Sequence, residues 1–252
     1  MPRVPPGRVP GAMGVPGGWA FVEGTQTTVK VRDLGGQVVI EDGMILAVKG
    51  AIVNSQSFFG SSADKYAGAV AYVKDCLLWW ASKGVRAVLG LDGRRVDAKA
   101  HAHSTRDTRR KKTEELLKDT TLSPDQRDRL IKQVLRVDTA YILAITNMAR
   151  SEGIVVYRAP FEFDPQGALL NRLGANYAVV SRDNDLLWYG AGRVIREVNR
   201  KDCTVVMYTA ERVWQAATTA GQARHAPFNK TARRPIIPAA SPVEPLATKK
   251  RI

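Results

Sequence analysis

Short apolar runs alternate with longer amphipathic stretches along most of this chain. Val38-Val39-Ile40 reads as a buried strand that ends in Glu41-Asp42-Gly43. Residues 44–59 are apolar enough for a helix, with Gly50 as a weak point inside it. Ala69, Val70, Val73, Leu77 and Trp80 recur at helical spacing, which predicts a helix over 66–83 closed by Gly84. Residues 85–91 form a second apolar strand. Ser123-Pro124-Asp125-Gln126 has Ser at an N-cap, Pro at N1 and Gln at N3, and starts a helix expected to reach residue 152. Strands follow at 154–157, 175–180, 194–198 and 204–207, with helices at 165–173 and 209–220. Strands alternating with helices predict βαβ units, hence an α/β fold with a mostly parallel central sheet flanked by helices. Function in such sheets gathers at the carboxyl ends of the strands.

Three of those ends carry acids. Asp92 closes Val88-Leu89-Gly90-Leu91, Glu162 and Asp164 follow the strand at 154–157, and Asp183 and Asp185 follow Tyr177-Ala178-Val179-Val180. Each acid has a plain alternative as a turn or helix-cap residue. Joined by one parallel sheet they predict a shared site for Mg²⁺ or Mn²⁺, which take hard oxygen ligands. Two such ions activate water and stabilise the leaving oxygen of a phosphodiester.

Composition sharpens this picture. The 252 residues are 44% apolar, which allows one large α/β domain or two small ones. A net charge of +14 and a pI near 10.0 favour a polyanionic partner, nucleic acid before anionic lipid. Between residues 94 and 118 nine Lys/Arg face four acids, and Lys99, Arg106 and Arg110 would share a face if this segment is helical. Arg94, Arg95, Arg109, Lys111 and Lys112 add to the stretch, whose alternative reading is a solvated charged helix. His101 and His103 have no further Cys or His in sequence to complete a metal set, and are read as polar or phosphate-contacting residues. Trp79-Trp80 and Phe58-Phe59 are each expected to give one core and one surface ring, base stacking being the alternative role for the tryptophans.

Cys76 falls in a predicted helix and Cys203 in a predicted strand, too isolated for a disulfide framework or a zinc site. A reducing intracellular setting, nucleus or mitochondrion rather than secretion, is expected. No apolar run reaches the ~18 residues of a membrane span. Residues 1–18 have the Pro/Gly-rich composition of a flexible extension, 19–220 hold the folded domain, and 221–252 read as a disordered basic tail.

These residues resemble the XPG/flap endonuclease family of structure-specific 5′ nucleases, within the PIN-like nucleases, over about 13–198. Met13-Gly14-Val15 is similar to the family's start, and Leu91-Asp92-Gly93 to its Phe-Asp-Gly motif. Residues 153–164 resemble its GIPY…APxEAE segment and Ser181-Arg182-Asp183-Asn184-Asp185 its TEDxD segment. The resemblance implies a PIN-like domain that hydrolyses phosphodiesters with two Mg²⁺ or Mn²⁺ ions. Asp92, Glu162, Asp164, Asp183 and Asp185 would hold metal, and Lys99 and Arg106 would contact the scissile phosphate. Gly14, Arg94, Arg95, Arg109, Arg110 and Lys111 would meet nucleic acid: DNA with 5′ ends or flaps, or RNA. The alternative is a nuclease fold of weak or lost activity that binds RNA or DNA within a larger complex.

Three departures from the family pattern stand out. The first metal Asp has two alignments: Asp42, with Glu41 in the strand register, or a frame that places Lys49 there; Asp42 leaves more chain for the next helix and is preferred. The duplex-gripping helix–two-turn–helix region, with the family's last metal Asp, has no evident match. Twelve residues precede Met13, so an extension that loops away, is removed, or a start at Met13 are the alternatives.

Overall fold

The computed structural model describes residues 18–94 and 100–219, the side chains at 100–103, 106 and 217–219 excepted. The chain runs α1 (Gly18–Phe21), β1 (Thr27–Lys30), a 3-10 turn (Val31–Leu34), β2 (Val38–Asp42), α2 (Gly43–Val53), α3 (Ser55–Phe59), α4 (Ala67–Ser82) and β3 (Arg86–Leu91). It continues through α5 (Ala100–Leu116), α6 (Pro124–Val134), α7 (Thr139–Ser151), β4 (Val155–Arg158), α8 (Phe163–Arg172), β5 (Ala178–Val180), α9 (Asp185–Trp188), β6 (Arg193–Asn199), β7 (Thr204–Thr209) and α10 (Ala210–Thr219). One seven-stranded sheet has the order β1-β7-β6-β5-β2-β3-β4. The strands from β6 to β4 run parallel, and β7 and β1 extend the β6 edge in antiparallel pairing. The mostly parallel sheet expected from the sequence is therefore present.

Helices cover both faces, as parallel strands require. On one face α2, α4 and α7 pack Ala47, Val73, Leu77, Tyr141 and Ile145 over Leu89 and Leu91 of β3. On the other, Phe163, Ala168, Leu186 and Leu187 of α8 and α9 pack over Ile40, Val179 and Val194. Each fully buried aliphatic or aromatic side chain contributes about 1.5–3 kcal/mol.

Several boundaries differ from expectation. The helix predicted over 44–59 breaks at Asn54, whose Nδ2 donates to the Gly50 carbonyl (3.0 Å), and not at Gly50. Gly50 lies inside α2 because a Cβ there would meet the Ala69 carbonyl of the α4 region at 2.8 Å. The long helix predicted from Ser123 is two. The capping box starts α6 as read, but Asp138 begins α7 by accepting from Tyr141 N at 2.8 Å. Cys203 lies in the β6–β7 turn with φ of 50°, not in a strand. The short elements α1, β1 and α9 carry too little periodicity to be predicted. Of the expected extension only Gly18 is described, in α1, and the expected tail lies outside the described residues.

Candidate metal centre

Strand alternation separates the two acids at the end of β2. Val39 packs in the cluster with Trp80, and Ile40 in the cluster with Phe163. Continuing the pleat, Glu41 turns to the Trp80 face and Asp42 to the Phe163 face. Glu41 accepts a 2.6 Å hydrogen bond from Trp80 Nε1, with α4 on that side. Burial pushes its pKa up to about 7, against the lowering effect of that bond and of Lys49. Glu41 thus faces away from the other strand-end acids, and Lys49 lies in α2, not at a strand end.

Asp42 is fixed from two directions. Its Oδ1 caps α2 by accepting from Met44 N (3.1 Å) and Ile45 N (3.0 Å), and its Oδ2 accepts from Ser181 Oγ at 2.8 Å. Burial raises its pKa to about 6, with Asp92 and Asp183 adding to the rise. The same Ser181 Oγ accepts from Asp183 N (3.0 Å), and Asp183 Oδ1 accepts from Asp185 N (3.0 Å). One hydroxyl therefore ties the ends of β2 and β5 together.

Asp92 is placed by α8. Its Oδ1 accepts from Phe163 N at 2.8 Å, while Arg158 Nε donates to its carbonyl at 3.2 Å. Gly93 makes this approach possible, because a Cβ there would lie 1.9 Å from the Ala159 carbonyl. Asp92-Gly93 is thus a packed junction rather than an ordinary turn. Glu162 stands at the N-cap of α8 without its side chain capping the helix. Asp164, in the first helical turn, takes up the negative field of the whole group. Burial is the main cause that pushes its pKa to about 8, followed by the charges of Asp42, Asp183, Asp92 and Asp185.

Asp42, Asp92, Asp164, Asp183 and Asp185 thus gather at the carboxyl edge of the sheet from four separate segments, coupled through their fields. Among the described residues no three His, Cys, Asp or Glu side chains close into a preformed metal cage. The donor chemistry still fits Mg²⁺ or Mn²⁺: the group offers carboxylate oxygens alone, and a divalent charge offsets both the burial and the mutual repulsion that raise the pKa values of Asp42 and Asp164.

The basic stretch is helical, as α5. Positions 106 and 110 lie four residues apart in it. Arg110 is drawn into a local ion pair with Asp107 at 2.7 Å, while Arg109, Lys111 and Lys112 are exposed. Arg94 is exposed just past Asp92, its N–H held by the Pro160 carbonyl at 3.0 Å. Gly14, Arg95 and Lys99 lie outside the described residues, as do the side chains of His101, His103 and Arg106. Trp80 is buried, and Trp79 packs edge-on to it at 5.0 Å. Phe58 is buried and Phe59 exposed, as expected.

Sequence reading did not single out Ser181, Trp80 as partner of Glu41, or Phe163 and Gly93 as the seat of Asp92. Ser181 had a legible signal: a Ser two residues before an Asp makes a local side-chain turn. The contact with Asp42, 139 residues away, had none.

The XPG I-region family model matches residues 153–227, which include Glu162, Asp164, Asp183 and Asp185. Exonuclease 1 of Danio rerio is 28% identical over 194 residues, 75% of this chain and 23% of that protein. Flap endonuclease 1 of Saccharolobus solfataricus is 32% identical over 65 residues, 26% of this chain and 19% of that one. The chain thus spans less than a quarter of the length of either. The catalytic core of Rad2 in complex with DNA substrate superposes with a TM-score of 0.58 at 19% identity, covering 80% of this chain and 57% of that one. Human GEN1 in complex with Holliday junction DNA gives 0.54 at 18% identity, covering 84% and 50%. The chain is thus similar to these nucleases in one family segment, in part of its sequence and in its fold.

Proposed function

We propose that this protein is a metal-dependent, structure-specific 5′ nuclease that hydrolyses phosphodiesters of DNA, with RNA as the second candidate substrate. The observation that carries the proposal is the coupling of five carboxylates from four segments at one sheet edge of a strongly basic chain. Asp42, Asp92, Asp164, Asp183 and Asp185 would hold a pair of Mg²⁺ or Mn²⁺ ions, with Glu162 beside them at the start of α8. Such ions supply an activated water and charge stabilisation for the leaving oxygen. The backbone N–H groups of Met44, Ile45, Phe163 and Asp185 orient Asp42, Asp92 and Asp183 before any ligand arrives. Lys99 and Arg106 are assigned to the scissile phosphate by resemblance, and Arg94, Arg109 and Lys111 to neighbouring phosphates. The named relatives, Exonuclease 1 and Flap endonuclease 1, support the same reading. A reducing compartment, nucleus or mitochondrion, suits the free Cys76 and Cys203.

The test is cleavage of 5′-labelled single-stranded, flap and duplex DNA, and matching RNA, with Mg²⁺ or Mn²⁺. Wild type is expected to cut only with metal, and Asp183→Ala/Asp185→Ala to lose at least about 100-fold in rate, the scale of losing metal-borne charge stabilisation. Salt-sensitive binding without cutting, equal in both proteins, would identify a nucleic-acid-binding subunit instead.

A further inference from the structure

On the opposite side of β2 from the carboxylate cluster, a cleft of about 560 Å³ opens at the same edge of the sheet. Its walls are α2, α4 and the end of β6, which runs on past the last β5 pairing at Val180–Ile195. This volume falls within the range of about 300–1,000 Å³ usual for small-molecule pockets. Four cations line it, Lys49, Arg182, Arg196 and Arg200, against two carboxylates, Glu41 and Glu197.

Most of these charges are already engaged. Glu41 is held by Trp80 Nε1. Glu197 lies 3.7 Å from Arg196 Nε, and the Arg196 guanidinium covers the Trp19 ring at 4.6 Å. Arg200 bonds the Asp75 carbonyl and covers Trp79 at 5.5 Å. Lys49 and Arg182 remain: among the described residues neither side chain makes an ion pair or a hydrogen bond. They also sense each other: burial and then the repulsion of Arg182 hold the Lys49 ammonium below its ordinary range, against the weaker opposing pull of Glu41 and Asp42.

We propose that this cleft is a phosphate-binding subsite in which Lys49 and Arg182 clamp one phosphate of a nucleotide strand. Lys49 is half-buried and Arg182 exposed on the same cleft; two like charges lining one cleft repel until an anion lies between them, and an oxyanion accepts from both at once. Arg182 directly precedes Asp183, and Trp19 Nε1 fixes the Arg182 carbonyl at 2.8 Å, so its position is set by the same loop that carries the acids. A strand crossing the carboxyl edge would meet metal-holding acids on one side of β2 and this cation pair on the other. The phosphate chemistry stands on the cleft alone; its source in a polynucleotide rests on the nuclease reading.

The test titrates the full chain, in EDTA, with a fluorescein-labelled oligo-dT, and separately with AMP and with inorganic phosphate. Wild type, Lys49→Gln, Arg182→Gln and Arg182→Lys are compared, each checked by thermal melting. Each Gln variant is expected to weaken oligonucleotide binding about threefold to tenfold and to lower the salt slope by about 0.7, with Lys at 182 keeping most of both. AMP or phosphate binding that both Gln changes remove would show that the site accepts phosphate from any source. Oligonucleotide binding alone would restrict it to polynucleotide. If wild type binds no oligonucleotide but shows variant-sensitive AMP binding, the cleft stands and the nuclease reading loses its substrate. Wild-type affinity and slope in folded Gln variants, with no variant-sensitive AMP or phosphate binding, would overturn the proposal, as would an Arg182→Gln loss that appears only with a lowered melting point.

Discussion

At the scale of single residues, hydrogen bonds fix where Asp42, Asp92 and Asp183 point, while burial and neighbouring charge raise the pKa of Asp42 and Asp164. Ser181 gives one bond to Asp42 and takes one from the Asp183 N–H, all within buried surroundings. Ser181→Ala leaves that N–H and an Asp42 oxygen without this partner, and is expected to cost about 1–3 kcal/mol. Urea unfolding of the variant checks this; a loss under ~0.5 kcal/mol would mean that water or a neighbour replaces the hydroxyl. Asp164 makes a pH prediction. With its pKa raised to about 8, the folded chain keeps a proton that the unfolded chain releases near the ordinary carboxylate range. The folded state therefore binds more protons in that window, and stability falls as pH rises from about 4 to about 8. Asp42, near 6, and Glu41, near 7, act in the same direction. In EDTA, Asp164→Asn should melt about 2–4 °C above wild type at pH 8, for each kcal/mol relieved, and lose part of the slope. Parallel melting curves for the two proteins between pH 5 and pH 8 would refute this assignment.

At the scale of elements, the site depends on how closely β3 and α8 meet. The Asp92–Gly93 corner lies against the Ala159–Phe161 backbone, and Phe163 packs so close to Gly90 that a Cβ there would fall 2.2 Å from its ring. Gly93→Ala must push these segments apart. An overpacked contact of this kind costs about 1–3 kcal/mol, and the shift moves Asp92 off the Phe163 N–H. The expected outcome is a lower melting point together with a fall in kcat larger than any change in KM. Equal melting and full cleavage would show that the junction yields without consequence.

At the scale of the whole molecule, charge of opposite sign is segregated. The acids lie buried or half-buried at one sheet edge, while exposed Arg109, Lys111 and Lys112 lie along α5 in a chain of net charge +14. Cations laid out in this way neutralise phosphates and release counterions. Single-stranded DNA binding should weaken linearly on a log–log plot against salt, with a slope of about −0.7 per phosphate contacted. Charge-neutral substitution of Arg109, Lys111 and Lys112 together should make that slope shallower by about 2, measured by fluorescence anisotropy. An unchanged slope would place the nucleic acid away from α5.

The sequence by itself determined the parts that local pattern controls. The capping box of α6, the apolar stripe of α4, the strand ends that carry Asp92 and Asp183, and the parallel character of the sheet all follow from short-range periodicity and turn chemistry. It also pointed to Asp92, Asp183 and Asp185 as acids that follow strands, and such acids share an edge whenever the strands are parallel. Tertiary structure alone decided between Glu41 and Asp42. Adjacent residues on a strand point to opposite faces, and only the packing of Trp80 on one face and Phe163 on the other says which face holds the remaining acids. The Ser181–Asp42 bond and the Lys49–Arg182 cleft likewise join residues more than 130 positions apart, so no window along the chain could contain them.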